Sequence, residues 1–371
     1  VNFDFTEDQY LLRDSVQGYL AEHWSTARLR AADGRFDDAL WHGLCGLGLQ
    51  TLLVPEQHGG AALGMVDAVL SFEAFGRALV PGPMVDTILI SEVIARFGTA
   101  AQRAALLPGI AAGAVRLAFA HAEAGAGRDP SGFALTATPD GAQWRLHGRK
   151  ILVPAAQAAT ALAVSARLPD GGTGLFLCSL PADGVTVTPH LAIDPGSLAC
   201  AVGFDHAVAD PVAVGTPHAA LARLLETSAA AAAAQMVGIA GAALDMAVAY
   251  AKQRTQFDRP IGSFQAIKHK CADMLVAVEN AKSAAYYAAW AVAEDAPDAQ
   301  LAVSVAKAAC GDACRFVCNE CLQIHGGVGF TWDFDVHLFL KRGKLLEYSF
   351  GDAAWHRERV ARLVLPAGRA A

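Results

Sequence analysis

Apolar positions follow a helical period over the first third of the chain, alternate over the middle, and return to a helical period thereafter. Near the start, Thr6 stands as a cap before Glu7, Asp8 and Gln9. Tyr10, Leu11, Leu12, Val16, Tyr19 and Leu20 follow, which predicts a first helix. Phe36 to Leu49 predicts a second helical unit, and further helices are expected at about 65–79, 85–97 and 100–111. Pro55 with Gly59-Gly60, Pro81-Gly82-Pro83 and Pro108-Gly109 punctuate them.

Between about 117 and 217 the period is two. The runs Gly132–Thr138, Gln143–His147, Ala161–Ala166, Gly174–Leu180 and Val185–Thr188 read as strands. Turn signals at Pro139-Asp140-Gly141, Pro169-Asp170-Gly171-Gly172, Asp183-Gly184 and Asp194-Pro195-Gly196 separate them. From residue 218 onward, four long helices are expected at about 219–254, 263–294, 298–325 and 334–363, enough for an antiparallel bundle. The expected fold class is therefore α+β. A helical domain spans 1–116, a β-barrel or β-sandwich domain 117–217, and a four-helix bundle 218–371.

Of the 371 residues 54% are hydrophobic and 18% charged, which excludes a disordered chain. A net charge of −7 argues against a nucleic-acid binder. The mean hydropathy of +0.31 raises the question of a membrane span. The best candidate runs from Thr227 to Leu244, but it contains Ser228, Gln235, Gly238 and Gly241 and stops at Asp245. It reads as a buried helix packed closely by small side chains, so no span is expected. No basic segment precedes an apolar one at Val1–Phe5, so no signal peptide is expected. Eight cysteines without regular loop spacing read as reduced thiols, which places the chain in the cytoplasm.

Two segments carry candidate chemistry. The first is Arg254-Thr-Gln-Phe-Asp-Arg-Pro-Ile-Gly-Ser-Phe-Gln265, read as a helix end, a tight turn at Pro260-Ile261-Gly262 and a new helix capped by Ser263. Arg254 offers a forked donor to a phosphate and Phe257 a flat face to a base. The same residues also suit an ordinary helix corner with a surface arginine and a core phenylalanine. The second is Gln323-Ile-His-Gly-Gly-Val-Gly-Phe-Thr331, whose glycines either admit a ligand to backbone amides or form a plain helix C-cap.

Taken together, and following a β middle unit, the two segments resemble the flavin-dependent acyl-CoA dehydrogenase family. The likeness extends to the Phe5–Val16 run and the Glu123–Asp129 stretch, and so to nearly the whole chain. It implies an oligomer with FAD at a subunit interface. Arg254, Gln256, Phe257, Gln323, Gly326 and Gly327 then match the positions that hold the pyrophosphate and adenosine half of a neighbouring subunit's FAD. It also implies removal of an α-proton from an acyl-CoA by a glutamate, hydride transfer to the flavin, and an electron-transfer flavoprotein as electron acceptor. No GxGxxG follows an expected strand, so a Rossmann site is not supported.

The chain departs from the family where the chemistry is done. The family's Tyr-Glu-Gly-Thr stretch reads Tyr348-Ser-Phe-Gly-Asp352, which puts Phe350 at the base position and Asp352 beside the cofactor. Some members carry the base on the first bundle helix, and Glu226 is the carboxylate near that place. A gap-free overlay points to Ser228 instead, about 200° around the helix. Glu226 otherwise reads as a first-turn acid favoured by the helix dipole, and Glu347 would need a rearranged loop. On the flavin side, Ala122 and Arg128 replace a threonine and a serine, and Leu152-Val153-Pro154 replaces Trp-Ile-Thr. The usual bundle arginine is Ala229.

Three readings remain open on this pattern. One is a subunit of a hetero-oligomer whose homologous partner carries the base, as in two-gene enzymes acting on steroid side chains. Another is a homomeric dehydrogenase with its base relocated to Glu226; a non-catalytic binding subunit is the remaining alternative. Cys310, Cys314, Cys318 and Cys321 form one helical stripe that reads as core, so no metal is expected. Lys341-Arg342-Gly343-Lys344 and His356-Arg357-Glu358-Arg359 read as solvated helix faces, and His325 as polar cover at a helix end.

Overall fold

The computed structural model describes residues 4–125, 134–141, 143–212 and 217–365. Its helices are α1 Glu7–His23, α2 Thr26–Ala32, α3 Asp38–Gly46, α4 Met65–Ala78, α5 Met84–Phe97, α6 Ala100–Ala111, α7 Pro217–Gln253, α8 Gln265–Ala293, α9 Ala299–His325, α10 Val336–Tyr348 and α11 Ala353–Val364. Its strands are β1 Leu117–Ala120, β2 Thr136–Asp140, β3 Gln143–Pro154, β4 Ala161–Arg167, β5 Thr173–Ser179, β6 Val185–Pro189, β7 Ala199–Pro211, β8 Thr255–Gln256 and β9 Arg259–Pro260. The chain divides into two compact units, one of residues 1–28, 69–80 and 229–371, the other of 29–68 and 81–228.

The first unit is helical apart from the short β8–β9 hairpin. Thr6 caps α1 as expected: its hydroxyl accepts from the Gln9 amide at 3.2 Å, and the Gln9 side chain accepts from the Thr6 amide at 3.1 Å. The alanine-rich stretch of α7 is long and apolar enough to cross a membrane, but 72% of its most apolar part is buried inside the protein. Small residues are what permit this burial. A Cβ on Gly238 of α7 would lie 1.9 Å from the Glu73 carbonyl oxygen of α4, and one on Gly76 of α4 would lie 2.0 Å from that of Gln235. The two helix backbones therefore touch through reciprocal glycines.

Two expectations need correction here. The fourth bundle segment is two helices, because Phe350 and Gly351 take left-handed φ values of 58° and 95° and break the run between α10 and α11. Ser263 does not cap α8. It lies in a single 3-10 turn, and the N-cap is Phe264, whose side chain makes no capping bond.

The second unit joins α3, α5 and α6 to a β-barrel. The pairings run β4–β2–β3–β7–β5 and back to β4, so the strands close on themselves. β1 adds to β4 in parallel and β6 to β7. The barrel interior is apolar, with Leu146, Val164, Phe176, Cys200, Val202 and Phe204 all but inaccessible to solvent. The alternation locates β2 to β6 but misses β1 and β7, although β7 is the longest strand at 13 residues. Part of the expected run at 132–138 lies outside the described residues.

Candidate functional site

α7 ends at Gln253, and the chain reverses at once. β8 pairs with β9 through Thr255↔Pro260 and Gln256↔Arg259, which leaves Phe257 and Asp258 as a two-residue turn. Both turn residues have positive φ, 53° and 61°, as the right-handed twist of a tight hairpin demands. Such turns favour Asn and Gly, so a phenylalanine here is conformationally costly. Its ring is also 85% exposed and touches Phe264 edge-on at 6.0 Å. Phe257 is thus a surface residue, not the core phenylalanine of an ordinary helix corner. Arg254 is exposed too, and no hydrogen bond or ion pair holds its guanidinium among the described residues. Its backbone is fixed at both ends: the amide donates to the Tyr250 carbonyl and the carbonyl accepts from the Ile261 amide, both at 2.8 Å.

The glycine segment follows α9. Gly326 turns the chain at φ 63° and begins a short 3-10 stretch to Phe330. Gln323, Gly326 and Gly327 are exposed or nearly so, and a Cβ on either glycine would meet nothing within 4 Å. His325 between them is buried. Its ring stacks on Tyr250 at 4.2 Å, and Phe334 closes on both rings edge-on. Burial lowers its pKa, which keeps the ring neutral against Tyr250. Tyr250 lies in the last turn of α7, four residues before Arg254. The Tyr250–His325 stack therefore ties the arginine hairpin to the glycine turn. Sequence reading missed Tyr250, since one tyrosine on a helix carries no motif.

The residues brought together suit the phosphate-and-base half of a dinucleotide. A forked cation, two side-chain amides, an exposed ring and bare glycine backbone all face solvent on one unit.

The turn between α10 and α11 is gripped from beneath. Lys307 of α9 is 1% exposed, and its Nζ donates to the carbonyls of Glu347 at 2.9 Å and Gly351 at 2.8 Å. Buried His356 of α11 donates from Nε2 to the Phe350 carbonyl at 3.0 Å. Burial first, then the Lys307 charge, push the His356 pKa down to about 3. Both carboxylates beside the turn have partners within the protein. Glu347 is buried between Arg315 and Lys344, the latter at 2.9 Å. The Asp352 side chain caps α11 by accepting from the Trp355 amide at 2.9 Å.

Burial pushes the Lys307 pKa from 10.5 down to about 8, against the opposing pull of Cys310 and Glu347. The unfolded chain then holds this proton more tightly than the folded one between those values, so the lysine's contribution to stability improves as pH rises through the window. Between about pH 7 and pH 9, wild type should gain about 1 kcal/mol relative to Lys307→Met. Paired urea titrations check this; a constant gap between the two proteins across that range contradicts it.

Glu226 is half-buried in the third turn of α7, which begins at Pro217, so it is no first-turn acid and the dipole reading fails there. Ser228, the overlay position, is buried, as is Ala229. On the flavin side, the Ala122 carbonyl accepts from the Ile151 amide at 2.8 Å and Leu152 bends β3 at φ 53°; Arg128 and Asp129 lie outside the described residues. Glu123 pairs with fully buried Lys150 at 2.6 Å and accepts from the Leu135 amide at 3.1 Å.

The basic cluster is no uniform solvated face. Arg342 is buried and donates to the Val80 carbonyl at 3.0 Å, Lys344 serves Glu347, and Lys341 covers the Trp332 ring at 4.8 Å. In the second cluster, His356 is buried while Arg357 pairs with Asp312. The four cysteines of α9 are buried, and burial raises the thiol pKa of Cys310 and, to about 12, that of Cys321.

Comparison with known proteins gives these features a context. Residues 6–114 match the family described as "Acyl-CoA dehydrogenase, N-terminal domain", and 218–365 match "Acyl-CoA dehydrogenase, C-terminal domain". The chain is 33% identical over 96% of its length to acyl-CoA dehydrogenase FadE34 of Mycobacterium tuberculosis, and it spans about half of that protein, 48%. Among solved structures, a variant of the Tcur3481-Tcur3483 steroid ACAD superposes with a TM-score of 0.90 at 34% identity, over 96% of this chain and 98% of that one. The ChsE4-ChsE5 complex from Mycobacterium tuberculosis gives a TM-score of 0.90 at 28% identity, over 99% and 100%.

Proposed function

Because this chain belongs to the acyl-CoA dehydrogenase family, we propose that it is the base-lacking subunit of a hetero-oligomer that oxidises an acyl-CoA thioester to its 2,3-enoyl form. The family is one of FAD flavoproteins, and FAD, when bound, accepts the hydride from the substrate β-carbon. In this reading the chain's own share is to hold the adenosine end of that cofactor. Arg254 takes the pyrophosphate, Gln256 and Gln323 donate to it, Gly326 and Gly327 let it approach, and Phe257 covers the base. The half-site belongs to a cofactor seated mainly on the neighbouring subunit, which also supplies the carboxylate that removes the α-proton.

The observation that carries the reading is the turn before α11. Phe350 stands where the family likeness places the base, its carbonyl is clamped by His356, and the two flanking carboxylates pair with Arg315 and Lys344 and with a helix cap. A phenyl ring takes no proton, and nothing in the turn replaces it. The named steroid enzyme and the two-component complex among the similar structures favour a paired subunit and a bulky, steroid-like acyl group. Electrons leave through an electron-transfer flavoprotein.

Purification with and without a co-expressed homologous subunit, followed by a flavin spectrum and anaerobic bleaching by acyl-CoA, tests this. Flavin and bleaching should require the partner; a yellow, acyl-CoA-reducible protein from this chain alone overturns the proposal. Glu226→Gln separates the homomeric reading. In the complex it should change turnover by less than about two-fold, whereas loss of an essential base costs at least about 100-fold.

A further inference from the structure

On the barrel, β3 and β7 fall out of register beside His147. Leu146 pairs with Ala207 and His147 with Asp205, so His206 is an extra residue on β7. It takes a left-handed φ of 53°, the conformation that this kind of bulge ordinarily gives to glycine. Successive strand residues normally face opposite sides. The bulge instead collects Asp205 and His206 beside His147.

The three side chains are exposed and close. The His147 and His206 rings stack with centroids 5.0 Å apart. One Asp205 carboxylate oxygen lies 3.6 Å from His147 Nδ1 and 3.9 Å from His206 Nε2. One ligand atom from each residue falls within 4.8 Å of the others. Two ligands on a tetrahedral zinc at bond lengths near 2.1 Å sit roughly 3.4 Å apart. The carboxylate pairs thus need to close by only a few tenths of an ångström, and both separations are too long for a strong hydrogen bond to hold the rings apart from a metal. The Asp205 amide is tied to the Gly184 carbonyl at 2.8 Å, which anchors the bulge. A neighbouring cation, Arg145, binds the His206 carbonyl and is itself paired with Asp140 at 2.8 Å.

We propose that His147, Asp205 and His206 bind one divalent transition-metal ion of the zinc class, with water filling the remaining positions. Two imidazoles and one carboxylate suit Zn²⁺, Ni²⁺ or Co²⁺ and not Mg²⁺ or Ca²⁺, which take oxygen ligands. Bound metal would pin β3 to β7 across the bulge and favour the folded barrel by mass action.

The test is calorimetric titration of the tag-free full chain with ZnCl₂ and NiCl₂, alongside thermal unfolding with and without metal. Wild type should bind about one equivalent with a dissociation constant on the order of micromolar, and its midpoint should rise. His206→Gly relieves the left-handed strain, so its metal-free midpoint should equal or exceed that of wild type, while metal affinity falls at least about tenfold and the midpoint no longer responds. His147→Gln should lose affinity likewise. Absence of saturable binding by wild type overturns the proposal, and so does a His206→Gly protein that binds as tightly as wild type.

Discussion

Gly238→Ala should destabilise the protein by about 3 kcal/mol, at the upper end of what overpacking costs. On an open helix the same change gains about 1 kcal/mol, because alanine is the better helix former. The sign reverses here because the new methyl would sit 1.9 Å from the Glu73 carbonyl oxygen and close to the Arg77 amide at 2.7 Å. Both atoms are backbone, so relief requires α4 and α7 to part by on the order of an ångström. That movement would loosen contacts all along the pair, including the reciprocal approach of Gly76 to Gln235. Gly18→Ala in α1 is the control. A Cβ there meets nothing within 4 Å, so it should stabilise by up to about 1 kcal/mol. Denaturant unfolding of the three proteins decides the matter, and equal midpoints for wild type and Gly238→Ala would mean the helices are not in backbone contact.

The second large effect concerns the cofactor. On the proposed function, Arg254→Ala purified with the co-expressed homologous subunit should weaken FAD binding about 100-fold. Hydrogen bonds from a guanidinium to phosphate are each worth about 1.5–3 kcal/mol, and a forked arginine makes two. Folding stability should stay within about 0.5 kcal/mol, since the exposed side chain being removed has no partner among the described residues. Lysine at this position keeps the charge but loses the fork, so Arg254→Lys should fall between the two. Flavin-to-protein ratio and titration of the apoprotein with FAD provide the readout. Full flavin retention by Arg254→Ala would remove the hairpin from the cofactor site and leave Phe257 exposed for some other reason.

The two site segments were legible as strings, and the likeness to a family was legible from their combination. Their joining was not. Tyr250 and His325 lie far apart in sequence, and their ring stack appears only when α7 and α9 are packed side by side. That Phe350 stands where the family likeness expects a glutamate could be read directly, whereas the partners of Glu347 and Asp352 could not. Each gained a partner brought in by folding or by a helix start: Arg315 for one, the Trp355 amide for the other. The solvated faces expected at Arg342 and His356 failed for the same reason. In a bare string a charged or polar residue reads as a surface one, although a carbonyl waits for it in the interior.

By itself, the amino-acid order determined most of the helices and the strands β2 to β6, because those periods are set by chain geometry a few residues at a time. It also determined that a phenyl ring stands where a proton acceptor is expected. The tertiary structure alone decided that the strands close through β7, that α4 and α7 meet at bare backbone, and that Lys307 locks the turn before α11. Those outcomes depend on groups remote in sequence meeting at hydrogen-bonding or van der Waals distance, and no local pattern encodes which partner each buried group will find.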